Sequence, residues 1–429
     1  MGVKSPDVYV NLGVICMERG ELEQAREYFV KAIKIDKRFA KAYCFLGAVL
    51  TDLGEYEKSE EEFEIAQSIE PLNPDLFLNW GVAMCKQKNF TQAREKFRTS
   101  LKFGCTNPHS FYFLGLVELE FNNFETAKEI FKQVVQGQPN NVEALYYLGY
   151  TYLKLKDFDR ALINATRAFE LSKAPKSELY MLLGEVNMNL NEKEKSLEYF
   201  AQGEALNAQN FFYYIAWGIA LERFTLFDDS REKFDKAIAL NPQNPLGFAC
   251  LANSYRNLEQ YENGIGCLKK ALEIDNTNGF THYQLGELYF LAQDYTNAID
   301  SLKTSLDISS KNVLAYVKLA KSYFLNNDID NALTNYNKAF EYGYLGFDAY
   351  YEYAQIMIER KEYQKALNKL KNIESETVEY LNLAFYINFL LAKEEKYSYN
   401  KEKAIEIANN IKEKEMPFDY TEELKALET

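Results

Sequence analysis

The sequence predicts an all-α protein in which tandem helix–turn–helix repeats stack into a solenoid. A short motif, a bulky residue followed by Gly or Ala, recurs every 34 residues with a single one-residue shift. Ten of the eleven repeats also place a ring at one shared position, and every repeat places small residues at two others, at spacings typical of helices. Self-similarity at a period of about 20–50 residues is typical of repeat architectures.

The motif defines eleven repeats that begin near residue 6. Positions are numbered from the first residues of the repeats, which are 6, 40, 74, 108, 142, 177, 211, 245, 279, 313 and 347. The fifth repeat contains the one inserted residue. The motif occupies positions seven and eight, at Leu12-Gly13, Leu46-Gly47, Trp80-Gly81, Leu114-Gly115, Leu148-Gly149, Leu183-Gly184, Trp217-Gly218, Leu251-Ala252, Leu285-Gly286, Leu319-Ala320 and Tyr353-Ala354.

Each repeat divides into two helical segments, since its apolar and small residues recur at steps of 3, 4 and 7. A ring stands at position four in every repeat except the fifth, which has Leu145. Position twenty is small, and position twenty-four is bulky and apolar except for Ala165. Turn formers such as Glu18-Arg19-Gly20-Glu21 separate the segments, so the pattern predicts helix, tight turn, helix.

The small residues at positions eight and twenty predict close helix packing. Helix axes approach to about 8–10 Å, and the short end of that range requires tiny facing side chains. One hairpin cannot bury its apolar face alone, whereas stacked hairpins share a continuous core. We therefore expect a tandem array over residues 1–380. Residues 381–429 should form a degenerate twelfth repeat and capping helices. We expect a helix at 381–391, a polar insert at 393–403 that precedes the segment 404–411, and a last short helix at 421–427.

The pattern resembles the tetratricopeptide repeat through all eleven units. Pro71, Pro139 and Pro242 fall where that family often has a proline between repeats. The resemblance implies a right-handed superhelix whose first helices line a concave face. It also implies that positions two, five, nine, twelve and thirteen point into this groove, where protein or peptide partners bind.

Carried onto this sequence, those positions give an apolar, tyrosine-rich groove as the partner-binding site. Exposed apolar surface of that extent usually marks an interaction site, and we expect it to receive an amphipathic helix or an extended peptide with basic flanks. The alternative is that many of these side chains only cover neighbouring helices. The candidate residues are Val10, Val14, Leu78, Val82, Tyr112, Leu116, Tyr146, Tyr150, Met181, Ile215, Ile219, Tyr283, Phe290 and Tyr351.

A polar cluster in the later repeats is a second candidate site. Its side chains could pair with a carboxylate or with the main chain of a partner. The alternative is ordinary surface polarity. The cluster consists of Arg223, Asn253, Arg256, Asn257 and Lys321.

Composition argues against several other functions. The formal net charge of −14 disfavours binding to nucleic acid or to an anionic membrane. His109 and His282 are the only histidines and stand five repeats apart, so we predict no catalytic residues, no metal site and no cofactor. The 6 cysteines are scattered without a C-x-x-C pair, and no apolar run reaches the roughly 18 residues of a spanning helix. We predict a cytoplasmic protein without membrane insertion.

These observations predict a non-catalytic scaffold or assembly factor that binds protein partners along the groove. The alternative is the substrate-recognition arm of a larger enzyme or enzyme complex, such as a glycosyltransferase or protease with similar repeats. A third hypothesis is self-assembly into a homo-oligomer through the C-terminal repeat.

Overall fold

A computed structural model of the chain describes residues 5–206, 209–373, 377–394, 398–413, 418 and 420–427. Those residues form 25 α-helices, a short 3-10 helix at Lys371–Ile373 and no strand, which confirms the all-α prediction. Within the same residues, no helix combines the length and the apolar character needed to cross a lipid bilayer.

The chain divides into two compact halves, Met1–Phe224 and Thr225–Thr429. The first half contains α1 (Pro6–Glu18), α2 (Leu22–Ile35), α3 (Ala40–Asp52), α4 (Tyr56–Ile69), α5 (Pro74–Lys86), α6 (Phe90–Lys102), α7 (Pro108–Glu120), α8 (Phe124–Gly137), α9 (Val142–Lys154), α10 (Phe158–Leu171), α11 (Ser177–Asn189), α12 (Lys193–Ala205) and α13 (Phe211–Arg223). The second half contains α14 (Phe227–Leu240), α15 (Pro245–Asn257), α16 (Tyr261–Ile274), α17 (Gly279–Leu291), α18 (Tyr295–Ile308), α19 (Val313–Leu325), α20 (Ile329–Glu341), α21 (Phe347–Glu359), α22 (Tyr363–Leu370), α23 (Val378–Glu394), α24 (Ser398–Glu413) and α25 (Thr421–Ala426).

The helices follow the predicted repeats. Every odd-numbered helix from α1 to α21 begins at the first residue of a repeat. Within each half, the two helices of a repeat pack on each other, and the second also packs on the first helix of the next repeat. This arrangement lets neighbouring repeats share one apolar core.

Asparagine side chains begin most of the odd-numbered helices. Each accepts a hydrogen bond from a main-chain N–H of the first turn, which otherwise has no partner inside the helix. These caps fix the residue at which the helix starts and therefore the register of the repeat. The capping residues are Asn73, Asn107, Asn141, Asn210, Asn244, Asn278 and Asn312.

A tight turn joins the two helices at position fifteen of each repeat. The residue there has a positive φ in all eleven repeats, for example 79° at Gly20 and 60° at Thr225. Only Gly20 and Gly54 are glycines, so nine turns place a side chain in the left-handed region, which costs about 1–2 kcal/mol each. The sequence predicts the turns, but it does not predict this conformation at residues other than glycine.

Glycine at position eight makes room for position twenty-four of the same repeat. A Cβ on Gly115 would lie 2.7 Å from the Phe131 ring, and the first, second, third and sixth repeats have the same arrangement. In the fifth repeat, a Cβ on Gly149 would instead lie 3.2 Å from the backbone nitrogen of Ala165. The small residue therefore accommodates a ring in five repeats and a close approach of two backbones in the fifth.

In the first half, the ring at position twenty-four also stacks on a ring of the next repeat. The fifth repeat is the exception among the described repeats of this half, because Ala165 at this position has no ring. These stacked pairs join successive repeats through aromatic contacts. The pairs, with 5.5–6.0 Å between ring centroids, are Phe29–Phe45, Phe63–Trp80, Phe97–Phe113, Phe131–Tyr147 and Phe200–Trp217.

The twelfth helix pair, α23 and α24, packs against the regular repeats that precede it. One hydrophobic cluster runs from Ile299 to Ile411 and includes the buried residues of both helices. The Tyr420 ring stacks on Phe385 with 3.8 Å between centroids, which holds the start of α25 against this pair.

Two predictions for the C-terminal region have different outcomes. The short last helix is confirmed as α25, Thr421–Ala426. The prediction of a polar insert over residues 393–403 is wrong at both ends, because α23 extends to Glu394 and α24 already begins at Ser398. Helix-favouring Lys and Glu residues extend α24 toward its N-terminus.

Candidate partner-binding site

An open pocket of about 670 Å³ lies beside the first helices of repeats four, five and six. Helices α7, α9 and α11 supply its walls, together with the connection between α10 and α11 at residues 172–176. This volume is within the range of roughly 300–1,000 Å³ typical of ligand sites. The pocket, which we call the tyrosine pocket, is lined by Tyr112, Asn141, Val142, Glu143, Tyr146, Tyr147, Leu171, Ser172, Lys173, Ala174, Lys176, Glu178 and Leu179.

Three half-buried tyrosine rings dominate this pocket. The rings of Tyr112 and Tyr147 meet at 70° with 5.8 Å between centroids, and those of Tyr146 and Tyr147 meet at 78° with 4.9 Å. Tyr147 also stacks on the buried Phe131 ring at 5.6 Å. The core of the fourth repeat therefore holds the central ring in place, and the perpendicular geometry is one that aromatic pairs favour.

A second pocket, of about 410 Å³, lies next to the tyrosine pocket, and Tyr147 lines both. Tyr150 and Leu116 line this second pocket. The structure thus gathers four predicted residues, Tyr112, Leu116, Tyr146 and Tyr150, around Tyr147. The remaining lining residues are Leu119, Glu120 and Asn122.

The sequence prediction omits Tyr147. It stands at position six, whereas the resemblance assigns positions two, five, nine, twelve and thirteen to the groove. Rings at position six of other repeats, Phe45 and Phe113, are visible in the sequence and could have indicated a role for this position. In the structure all three stack on the ring at position twenty-four of the preceding repeat.

Burial and nearby carboxylates raise the pKa of the tyrosine hydroxyl groups in the pocket. Burial raises the pKa of Tyr146, and the nearby carboxylates of Glu178 and Glu185 raise it further. Burial also raises the pKa of Tyr112, and the charge of Glu143 adds to this effect. These hydroxyls therefore remain protonated hydrogen-bond donors at neutral pH.

Glu185, at position nine of the sixth repeat, carries a carboxylate without a hydrogen bond or an ion pair among the described residues. Its main-chain oxygen accepts a hydrogen bond from Asn189. Burial raises the pKa of the Glu185 carboxyl, and the positive charge of Lys154 only partly opposes this shift. Lys154 itself extends over the Tyr150 ring, with Nζ 4.9 Å from the centroid.

The other predicted groove residues differ in exposure. Val10, Leu78 and Ile215 are only 0%, 7% and 5% exposed, so they belong to the core and present no surface to a partner. These three side chains cover neighbouring helices, as the alternative interpretation of the groove positions predicts. Ile219 and Tyr351 are exposed, and the half-buried remainder comprises Val14, Val82, Met181, Tyr283 and Phe290.

The cations of the predicted polar cluster in the second half are already paired. Arg256 donates to Glu287 at 3.1 Å, and Lys321 lies 2.8 Å from Asp348. Arg256 also lines a crevice of only about 10 Å³, too small for a partner side chain. Of the other members, Asn253 lines the same crevice, Asn257 is exposed on α15, and Arg223 is exposed in the first half.

Among the described residues, no group of three or more His, Cys, Asp and Glu side chains is placed to hold a metal ion. The two histidines make local contacts. The His109 ring lies 6.3 Å from that of Phe113, and His282 Nε2 lies 3.2 Å from the main-chain oxygen of Asn276.

Models of the tetratricopeptide repeat match residues 6–39, 40–71, 118–163, 177–210, 251–278, 281–312 and 317–371. Together these matches cover more than half of the chain, and the protein belongs to the tetratricopeptide-repeat family. Tandem repeats of this kind provide extended surfaces for partners. A search of curated proteins finds no match.

The chain also resembles solved structures at low sequence identity. Yeast Tom70 is 15% identical, with 95% of this chain and 99% of that chain covered and a TM-score of 0.45. PilF of Pseudomonas aeruginosa is 22% identical, with 47% and 91% covered and a TM-score of 0.43. PilW, a type IV pilus biogenesis factor, is 19% identical, with 48% and 94% covered and a TM-score of 0.43. Scores this low carry no argument about function, and the family assignment rests on the repeat models.

Proposed function

We propose that this protein is a non-catalytic interaction scaffold or assembly factor that binds a peptide or an amphipathic helix of a partner protein. The binding surface consists of the tyrosine pocket and the adjoining pocket around Tyr150. The observation that carries the proposal is that the two neighbouring pockets share Tyr147 and leave several aromatic rings partly open.

The chemistry of this surface suits a polypeptide. Tyrosine offers a large contact area with few rotatable bonds, so ordering it on binding costs little. The core already fixes the central ring of Tyr147 against Phe131, which lowers that cost further. We propose that the surface extends within each half over the predicted residues that are not fully buried, namely Val14, Val82, Met181 and Ile219 in the first half and Tyr283, Phe290 and Tyr351 in the second.

Affinity capture from the native lysate, followed by mass spectrometry, tests this function. We expect the triple variant Tyr112→Ala, Tyr146→Ala and Tyr150→Ala to lose proteins that the wild type retains, with little change in melting temperature. Equal retention by both would contradict the proposed surface. If the alanine variant unfolds, leucine at the same positions keeps the apolar volume and still removes the aromatic rings and hydroxyls.

A matched control removes three exposed tyrosines elsewhere. The variant Tyr56→Ala, Tyr342→Ala and Tyr399→Ala changes composition equally, and each of these side chains is at least 46% exposed. We expect it to retain the same proteins as the wild type. Loss of the partners from the control as well would show that capture depends on general surface character.

The alternative function uses the same surface. As the recognition arm of an enzyme, the chain would retain a protein with a catalytic domain in the same capture experiment. We propose the cytoplasm as its location, because all 6 cysteines are free thiols, as is typical of a reducing compartment. Self-association through α23 to α25 is a further proposal, which light scattering over a concentration series tests.

A further inference from the structure

Departures from the repeat pattern gather in the fifth repeat, beside the tyrosine pocket. Leu145 replaces the ring at position four, and Ala165 replaces the bulky residue at position twenty-four. The inserted residue lies within 172–176, because α10 begins 34 residues after α8 whereas α11 begins 35 residues after α9. That longer connection contributes Lys173 and Lys176 to the pocket wall. Breaks in an otherwise consistent pattern are expected at functional sites.

The three tyrosines form a cage with perpendicular walls. Aromatic faces carry a negative electrostatic potential and attract cations that lie within about 6 Å of the ring centroid. The same groove contains an example, since Lys154 Nζ lies 4.9 Å from the centroid of the Tyr150 ring. The pocket of about 670 Å³ leaves the rings of Tyr112, Tyr146 and Tyr147 open to such a group from outside the chain.

The charges around the cage favour a cation as well. Glu143 and Glu178 line the pocket, and both are exposed at its rim. Lys173 and Lys176 also line the pocket, from the connection between α10 and α11. Glu143 stands one helical turn before Tyr146 and Tyr147 on α9, which places a carboxylate beside two of the three rings.

We propose that the tyrosine pocket binds the ammonium or guanidinium group of a lysine or arginine side chain in the partner peptide. The cation lies over the rings of Tyr112, Tyr146 and Tyr147 and pairs with Glu143 or Glu178. This inference rests on the proposed function and narrows it to partners with a basic residue at the anchor position.

Selection from a displayed random dodecapeptide library on the intact chain tests the inference. The most enriched peptide is synthesised with its arginine or lysine and again with citrulline, a neutral side chain close to arginine in shape. Fluorescence anisotropy then measures both dissociation constants. We expect the citrulline peptide to bind at least about tenfold more weakly to the wild type.

Two double variants test whether Glu143 and Glu178 cause the preference for the basic peptide. In Glu143→Gln with Glu178→Gln, the preference for the basic peptide should fall to about threefold or less. The control Glu57→Gln with Glu64→Gln removes the same charge from exposed positions on α4 and should keep the full preference.

Each outcome decides between the proposals. If enriched peptides lack basic residues, or if citrulline binds as tightly as arginine, the cation inference is overturned while the groove proposal stands. If the preference survives unchanged in the Glu143→Gln, Glu178→Gln variant, the cation binds elsewhere and the inference is likewise overturned. If no peptide is enriched on the intact chain, both the inference and the proposed peptide-binding function fail.

Discussion

The two halves of the chain differ in how position twenty-four contacts the next repeat. In the first half, a fully buried ring such as Phe97 stacks on a ring of the next repeat. In the second half, no ring at position twenty-four stacks in this way among the described residues. Leu302 fills that position in one repeat, and in the next the Tyr336 hydroxyl donates to Glu352, which also pairs with Lys321 at 3.2 Å.

The two halves also differ in the surroundings of the carboxylate at position nine of a repeat. In the second half, Glu287 pairs with Arg256 at 3.1 Å and with Lys318 at 3.5 Å, so charges on the predicted groove positions are used within the chain. In the first half, aromatic stacking joins the repeats, and the Glu185 carboxylate at an equivalent position has no such pair among the described residues. Ion pairs also join successive repeats of the first half, such as Arg26–Glu55 at 3.1 Å and Arg98–Glu118 at 2.8 Å, so the contrast is confined to these positions.

The largest effect is expected from Phe131→Ala, which removes the ring behind the tyrosine pocket. Phe131 is fully buried and stacks on Tyr147, so its truncation leaves a cavity and should cost about 3–5 kcal/mol in the free energy of unfolding. Because Tyr147 loses its support, we also expect weaker binding of the library-selected peptide. Urea unfolding and fluorescence anisotropy measure the two effects.

Phe97→Ala is the matched control for this variant. Phe97 is equally buried and stacks on Phe113 at 6.0 Å, but neither residue lines the tyrosine pocket. We expect a similar loss of stability and an unchanged peptide affinity. An equal loss of affinity in both variants would show that the pocket responds to stability alone and not to the Phe131–Tyr147 contact.

The next largest loss of stability is expected from Gly149→Leu in the fifth repeat. A side chain there meets the Ala165 nitrogen at 3.2 Å and the Ala161 oxygen at 3.3 Å, and backbone atoms cannot rotate away. We expect a cost of about 1–3 kcal/mol or more, seen as a lower melting temperature. Gly266→Ala in α16 is the control, because its Cβ meets nothing within 4 Å and alanine favours helix by up to about 1 kcal/mol. A destabilised control would contradict this reasoning.

The fold was predictable because its main determinant is periodic. Eleven helix starts follow from the 34-residue step, because each repeat places similar residue types at the positions that pack against its neighbours. The left-handed turns at Thr225 and other non-glycine residues were not predictable, because the packing of the two helices imposes them against local preference.

The site was predictable only in part. Tyr112, Tyr146 and Tyr150 follow from the groove positions of the family, but the burial of Val10 depends on how neighbouring helices cover it, which a one-dimensional pattern does not contain. The inserted residue was visible in the sequence. Its effect on the connection at 172–176 depends on the path of the backbone, and so the pocket became evident only in three dimensions.

A smaller loss of stability is expected when the ion pair between Lys321 and Asp348 in the second half is removed. Burial alone would raise the pKa of Asp348, but the hydrogen bond and charge of Lys321, helped by the Tyr344 hydroxyl, hold it below its ordinary value of 3.8. The unfolded chain then binds the proton more readily, so this contribution is present above about pH 4 and is lost as the pH falls below it. Because the side chain is 47% exposed, we expect less than about 1 kcal/mol.

Melting curves of Asp348→Asn and the wild type from pH 7 to pH 2 measure this contribution. The difference in melting temperature should be full near neutral pH and should shrink below about pH 4. The control Asp300→Asn changes an exposed residue of α18, and its difference from the wild type should not vary in this way. A difference for Asp348→Asn that is independent of pH would show that Lys321 does not stabilise the carboxylate.

The smallest change in stability is expected from Glu185→Gln. Unlike the variants above, this variant should be more stable than the wild type at neutral pH. Burial raises the pKa of this carboxyl above 4.5, so the folded chain holds the proton more tightly than the unfolded chain does. Stability is then fully present below about pH 4.5 and is lost as the pH rises through the folded-state pKa. Glutamine avoids that loss, so the variant should be more stable at pH 7 by a few tenths of a kcal/mol and equal to the wild type near pH 4.

Peptide binding tests whether the charge of Glu185 also contributes to recognition of the partner. If the unpaired carboxylate serves a cationic partner, Glu185→Gln should bind the arginine peptide more weakly at pH 7 although the protein itself is more stable. Glu194→Gln, an exposed change on α12, should alter neither quantity. A gain in stability without a loss of affinity would mean that the charge of Glu185 plays no part in recognition, and the contrast between the two halves would then be one of packing alone.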